Sequence, residues 1–291
     1  MRKTEQALNK DNESLTNLSH TAGSAGKTGD SKAAYETIGK ESLKSKKHDT
    51  LIIIPAYNEE KNLQGVLDSL MKNNVSDYAD ILIINDASVD ETPAIAKRNN
   101  VRCISFVYNL GYGNALQAGY KYAKDYLYDY VIQMDADGQH DVSNVYNIYK
   151  ELSLSSDHPD IVLSCRFMDE SKHYEAGFFK KIAHVWLRFL MKLCSGIYFP
   201  DSTTGLQGLS RNAFSHYAEF NNFDARYPDA NMILKMHFLG FKIKQIPSVM
   251  HPRTSGKSMH SGIIRPIKYM IRITASVIAI WFRMRLMKRK G

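Results

Sequence analysis

Asp135 and Asp137 stand two residues apart, directly after the apolar run Tyr130-Val-Ile-Gln-Met134. Two carboxylates crowded at the end of a buried strand repel one another and lose hydration unless a cation neutralises them. An all-oxygen donor set suits Mg2+ or Mn2+, ions that in turn bridge phosphate oxygens. Gln139 continues the spacing and is a candidate third donor. The competing reading is a solvated acidic turn, and an Asp-x-Asp pair alone does not decide between the two.

Other polar clusters follow other apolar runs in the same way. Pro55-Ala-Tyr-Asn-Glu-Glu60 follows Thr50-Leu-Ile-Ile-Ile, and Asn85-Asp-Ala-Ser-Val-Asp90 follows Ile81-Leu-Ile-Ile84. Asn109-Leu-Gly-Tyr-Gly-Asn-Ala115 comes after the run Cys103 to Val107, and Ser164-Cys-Arg166-Phe after Ile161-Val-Leu163. Asp86 could bond a nucleobase or ribose, or serve as a turn or cap aspartate. Gly111-x-Gly113 is not a dinucleotide fingerprint. Leu116 stands where the third glycine belongs, and the motif follows the third run instead of the first. Glycines for a tight turn into a helix account for it, with Gly111 a candidate for close approach to a ligand.

The elements that must position these residues are legible from periodicity. Each short, β-branched run reads as a buried strand. Between them lie helical patterns: Leu63, Val66, Leu67 and Leu70 after a cap at Asn58, then Glu91 to Asn99 with Pro93 in the first turn. Further helices carry Ala115, Leu116, Ala118, Tyr122 and Ala123, and then Val145 to Leu152. Alternating strands and helices predict an α/β domain with a Rossmann-like, mostly parallel sheet. Ligands of such sheets bind beyond the carboxyl ends of the strands, where these clusters fall.

Together these segments resemble the family 2 glycosyltransferases, of GT-A fold, over about residues 50 to 258. Asp201-Ser-Thr-Thr-Gly205-Leu-Gln207, Ile246-Pro247 and Arg253-Thr-Ser-Gly256-Lys257-Ser258 look like the polyprenyl-phosphate sugar transferases within that family. The resemblance implies that Pro55, Tyr57, Glu59 and Asp86 hold the nucleotide of a nucleotide-sugar, a UDP-sugar being the expected donor. It implies that Asp135, Asp137 and Gln139 hold the metal, and that Arg166 and Arg253 meet an acceptor phosphate. Arg253 and Lys257, a guanidinium fork beside a point charge, suit phosphate, although a solvated basic loop would read the same way. Asn85 departs from the usual Asp-Asp pair, and Gln245 stands before Ile246-Pro247 where a glutamate is usual. Asp229 falls where many members place an acidic residue near the acceptor, and is the candidate base should the acceptor be a hydroxyl.

Charge is unevenly spread. The net charge is +8, yet the last acidic residue is Asp229; thirteen Lys and Arg follow it, leaving 25 basic against 30 acidic side chains before them. Such asymmetry predicts an anionic partner for the C-terminal end. Arg265, Lys268, Arg272, Ser276 and Arg283 fall on one helical face from Pro266 onward, with Ile264, Ile267, Met270, Ile271, Val277, Ile278, Ile280, Trp281 and Phe282 filling much of the rest. That is the pattern of a helix in the headgroup layer of an anionic membrane surface, or of one packed on the catalytic domain, and both can hold. No nucleic-acid module accompanies the charge, so no nucleic acid is expected.

Residues 1–48 are rich in Ser, Lys, Asn, Gly and Thr without apolar periodicity and read as a disordered tail. The expected organisation is that tail, a GT-A domain over 49–258 and a basic amphipathic segment over 259–291. The N-terminus lacks the apolar core of a signal peptide. Ile273 to Phe282 is only ten residues, against about 20 for a membrane-crossing helix. Cys103, Cys165 and Cys194 are too few and too scattered for a disulfide framework. The expectation is a peripheral enzyme at the cytoplasmic face of the cell membrane. It would move a sugar, with inversion, onto polyprenyl (undecaprenyl) phosphate for cell-envelope glycan synthesis. Alternatives are extension of a lipid-linked glycan or teichoic-type polymer, and a non-catalytic nucleotide-sugar-binding adaptor. A small membrane-protein partner is a further expectation.

Overall fold

The computed structural model describes residues 46–171, 178–252 and 264–288. Its centre is a seven-stranded sheet in the order β3-β2-β1-β4-β6-β5-β7. The strands are β1 (Thr50–Ala56), β2 (Ala79–Asn85), β3 (Arg102–Ser105), β4 (Tyr130–Gln133), β5 (Ile161–Cys165), β6 (Gln207–Ser210) and β7 (Ile243–Pro247). Strands β1 to β4 pair in parallel, as do β5 and β7, while β6 runs antiparallel between β4 and β5. The mostly parallel α/β sheet is therefore present, and one reversed strand is inserted into it.

The helices are α1 (Leu63–Lys72), α2 (Thr92–Arg98), α3 (Tyr112–Asp125), α4 (Val142–Ser153), α5 (Phe178–Ser195), α6 (Arg211–Ala218), α7 (Ala230–Phe238) and α8 (Ile264–Lys288). Every residue of β1 is buried, which is why its sequence is apolar without alternation. Leu51 and Ile53 face a core formed with Leu116, Met191, Phe214 and Ile233. Ile52 and Ile54 face the opposite core, with Leu63, Leu67, Ile95 and Ile148. Period-two alternation thus delivers one strand to two helical layers.

Helix α1 buries the expected Leu63, Val66, Leu67 and Leu70, but it begins at Leu63 instead of just after Asn58. Asn58 lies in the left-handed region at φ 54°. The N–H groups of Glu59 and Glu60 are taken by Thr92 Oγ1 and Asp90 Oδ2 across the neighbouring loop, at 2.9 and 3.0 Å. A turn held from outside has no need to start the helix there. Before β1, the backbone N–H of Lys47 donates to Asp80 at 2.9 Å. Residues 1–45 of the expected tail lie outside the described residues.

Candidate active site

Two laced loops form one wall at the carboxyl end of the sheet. Asn58 donates its N–H to Ser88 Oγ, and Val89 donates its own to Asn58 Oδ1, both at 3.0 Å. Pro55 is buried in β1, and Tyr57 follows at the rim, 49% exposed. The Glu59 carboxylate accepts from Asn62 Nδ2 at 2.7 Å. The second wall is the turn into α3. Asp86 is buried and accepts backbone N–H groups from Leu110 at 2.7 Å and Gly111 at 2.8 Å. Its charge therefore sits at the N-terminus of α3, where the helix dipole favours an anion. Gly111 supplies the φ of +91° that the turn needs. Gly113 does a different job: a Cβ there would run into the backbone of Asp224 and Ala225. Asp86 thus shapes the loop, and contact with a nucleotide would have to use the remaining lone pairs of the same carboxylate.

Asp135 lies at the centre. Tyr112, from the first turn of α3, donates its hydroxyl to Asp135 Oδ1 at 2.9 Å. His140 Nε2 approaches Oδ2 to 4.0 Å. A Cβ on Gly205 would fall inside the van der Waals shell of Asp135 Oδ2, so only glycine leaves the carboxylate where it is. Asp137 accepts the N–H of Gln139 at 3.0 Å, closing a short turn that keeps both carboxylates on one loop. Burial lowers the pKa of His140 to about 4, and the Arg166 charge adds to that effect, so the imidazole is neutral at pH 7.

Asp229, immediately before α7, completes an acidic group. Burial pushes its carboxyl up to about 6 and the charge of Asp135 adds to the rise, while a hydrogen bond from Tyr269 opposes it. Both carboxylates also hold the Tyr112 hydroxyl well above its ordinary range, second to its burial. Asp135 and Asp229 therefore act on the same small volume. Among the described residues, no three His, Cys, Asp or Glu side chains close on a point by themselves. Two carboxylates and an amide on one loop fit a hard divalent cation that takes its other oxygens from a phosphate ligand.

The Arg166 side chain is anchored. Its Nε and a terminal nitrogen bond the two oxygens of Asp201 at 2.6 and 2.8 Å, and that nitrogen also donates to Thr203 Oγ1 at 2.9 Å. Burial alone would raise Asp201; the guanidinium outweighs it and holds the carboxyl below the usual range. Arg253 and Lys257 lie outside the described residues.

Of the residues that matter here, Tyr112 and Tyr269 had no assigned role in the sequence, and Asp201 and Gly205 stood in a motif without one. Each acts through a partner 23 to 70 positions away. No local spacing encodes such a contact. Tyr269 reaches the site from α8, through Asp229 at 2.7 Å.

The model of the family described as Glycosyl transferase family 2 matches residues 51–217. The UDP-N-acetylglucosamine–dolichyl-phosphate N-acetylglucosaminyltransferase of Methanococcus voltae is 30% identical over 185 residues, covering 58% of this chain and 72% of that one. The polyprenol monophosphomannose synthase of Mycolicibacterium smegmatis is 24% identical over 225 residues, covering 73% and 81%. In fold, the chain is similar to glucosyl-3-phosphoglycerate synthase from Mycobacterium tuberculosis, solved with Mn2+, UDP and glucosyl-3-phosphoglycerate. The TM-score is 0.58 at 18% identity, over 91% of this chain and 86% of that one. A GT-A sheet with its acidic loop after β4, matched by the family over more than half of its length, makes this chain a member of glycosyl transferase family 2.

Proposed function

We propose that this glycosyltransferase moves a sugar, with inversion, from a nucleotide-sugar to polyprenyl phosphate, undecaprenyl phosphate in a bacterial setting. It would act at the cytoplasmic face of a membrane in envelope glycan synthesis. The observation that carries the reading is the Asp135-x-Asp137 loop after β4, with Asp229 acting on the same Tyr112 hydroxyl as Asp135, carboxylates that suit a divalent cation and a phosphate-bearing ligand. The names of the relatives support a polyprenyl-phosphate acceptor, and the Mn2+ and UDP of the structural neighbour support a metal and a uridine donor.

Mg2+ or Mn2+, held by Asp135, Asp137 and Gln139, would supply Lewis-acid stabilisation of the departing nucleotide. Tyr112 and Gly205 fix Asp135 in place. Pro55, Tyr57 and Glu59 form the wall against which the nucleoside would lie, and Asp86 with Gly111 shapes its opposite edge. A lipid phosphate is already an oxyanion near neutral pH and needs little help from a base. Arg166 would orient it from its anchorage on Asp201, and Arg253 and Lys257 would offset its repulsion with the donor. Helix α8, basic along Lys268, Arg272 and Arg283, would hold the enzyme on anionic lipid. A small membrane-protein partner would fit the same location.

One observation favours a second acceptor. Asp229, with its pKa near 6, is suited to act as a base toward a sugar hydroxyl, as extension of a lipid-linked glycan or teichoic-type polymer requires. A transfer assay separates the readings. Undecaprenyl phosphate in detergent, Mn2+ or Mg2+ and a panel of radiolabelled nucleotide-sugars are incubated with the enzyme and with Asp137→Ala. Labelled lipid from one donor, absent with the variant, establishes the lipid-phosphate acceptor. Donor binding that needs Asp137 but yields no labelled lipid favours the polymer acceptor.

A further inference from the structure

Strand β7 ends at Pro247, but the chain beyond it goes on pairing, now with the loop that carries Asp135, Asp137 and Gln139. The carbonyl of Gln139 accepts the N–H of His251 at 2.7 Å, and the carbonyl of Val249 accepts the N–H of Asp141 at 3.2 Å. Between them His140 and Met250 form an antiparallel bridge. Residues 139, 140 and 141 thus face 251, 250 and 249, the register of a short antiparallel ladder. Two side chains reinforce it. Asn144, buried in the first turn of α4, donates Nδ2 to the Val249 carbonyl at 2.7 Å and accepts the Val249 N–H on Oδ1 at 2.9 Å. One amide, with a donor and an acceptor side by side, therefore grips both backbone groups of one residue as a neighbouring strand would. His251 Nε2 meets Asp141 Oδ2 at 2.7 Å. An ionised carboxylate only accepts, so the imidazole is the donor. The segment is itself fixed to the sheet, because Ser248 donates its N–H to the Cys165 carbonyl of β5 at 2.9 Å.

We propose that Asn144 and His251 are positioning residues for the metal, clamping the half of the loop that carries Gln139 against the continuation of β7. The proposal rests on the metal site stated above. Asp135 is held at its side chain, by Tyr112 and by the close approach of Gly205. Gln139 is held through its main chain. Its N–H donates to Asp137 Oδ1 at 3.0 Å, and its carbonyl is taken by His251. With both backbone groups engaged, the point from which the Gln139 side chain departs is fixed, and less freedom is lost when its amide meets a cation. Partners that orient a ligand in this way commonly change metal affinity 10- to 100-fold. A contact that only fastened α4 to β7 could lie anywhere along the two elements, and one lies at their far end. Lys244 Nζ pairs with Glu151 there at 2.7 Å. Asn144 and His251 differ from it in what they fasten, which is the loop itself.

Titration of the full chain with Mn2+ in the presence of UDP tests it. His251→Ala should bind Mn2+ about tenfold more weakly, and Asn144→Ala about 10- to 100-fold. His251→Gln, whose amide can donate to Asp141 in place of the ring, should recover most of the affinity. Lys244→Ala should bind as the wild type does, although it loosens the same helix from the same strand. Melting curves show that each variant is folded. Should the buried Asn144→Ala fail to fold, the half-exposed His251 carries the test by itself. Hydrogen exchange of metal-free protein gives a second reading. Amides of residues 139 to 141 should exchange faster in His251→Ala and unchanged in Lys244→Ala. The proposal is overturned if His251→Ala keeps wild-type Mn2+ affinity, if those amides exchange no faster in it, if His251→Gln binds no better, or if Lys244→Ala loses as much. A wild type that binds no Mn2+ with UDP defeats the metal site, and the clamp's role with it. The transfer assay is read separately. Absence of labelled lipid there, with the Mn2+ affinities as expected, defeats the proposed reaction and leaves the clamp standing.

Discussion

Tyr269 of the C-terminal helix α8 donates its hydroxyl proton to Asp229 Oδ2 at 2.7 Å, so the most basic stretch of the chain reaches into its most acidic site. Two further contacts keep that reach in register. The Tyr269 ring stands edge-on to Tyr227 at 5.2 Å between centroids, and Asn231 Nδ2 donates to Ser276 Oγ at 2.9 Å. The hydrogen bond favours the ionised form of Asp229 against burial and the charge of Asp135. Tyr269→Phe removes that support, so Asp229 holds its proton to higher pH. If Asp229 works as a base, kcat falls about tenfold near pH 6 and recovers at alkaline pH, since a hydrogen bond to a charged group contributes roughly 1.5–3 kcal/mol. An unmoved acid limb in the kcat profile identifies the lipid-phosphate acceptor, which needs no base.

Asp229 also makes stability depend on pH. Its folded pKa, about 6, lies above the ordinary carboxylate value of 3.8, so the folded state holds the proton more tightly. The stability it contributes is complete below about 3.8 and is lost as pH rises through about 6. The loss is at most about 3 kcal/mol, reduced by solvent screening of this partly buried group. In metal-free protein, Asp229→Asn should therefore gain stability over the wild type between pH 4 and 7, measured by urea midpoints. Saturating Mn2+ with UDP should shrink that gain.

Gly205→Ala places a methyl group against Asp135 Oδ2. The carboxylate must rotate away from Tyr112, and metal affinity should drop about 10- to 100-fold, the usual cost of disturbing the support of a ligand. Titration of Mn2+ in the presence of UDP measures it. An unchanged affinity would remove Asp135 from the metal site.

Asp201→Asn leaves the Arg166 guanidinium partly buried without its counter-charge. Breaking such a pair costs about 3–5 kcal/mol, and thermal unfolding should show it. The folded pKa of Asp201 is depressed. Its stabilisation is thus present above the ordinary carboxylate range and fades as pH falls through the lower folded value, a pH dependence that Asp201→Asn should lack.

Much of this molecule was legible in its sequence because the physics is local. Apolar β-branched runs of three to five residues announced β1, β2, β4 and β5, and polar clusters after them marked the ligand-binding edge. The Asp135-x-Asp137 pair was conspicuous because carboxylates at a strand end demand an explanation. The antiparallel insertion of β6 was not legible, since Gln207–Ser210 is a short polar segment whose pairing depends on neighbours far along the chain. Nor was the difference between Arg166 as a phosphate ligand and Arg166 as the partner of Asp201, since both readings use the same residue at the same strand end. The sequence alone determined the α/β layering, the acidic loop and the accumulation of cations after Asp229. The tertiary structure alone decided that Gly205 wedges Asp135, that Tyr269 reaches Asp229, and that Asn144 grips Val249. Contacts between residues tens of positions apart depend on how the layers pack, and periodicity along the chain carries no record of that.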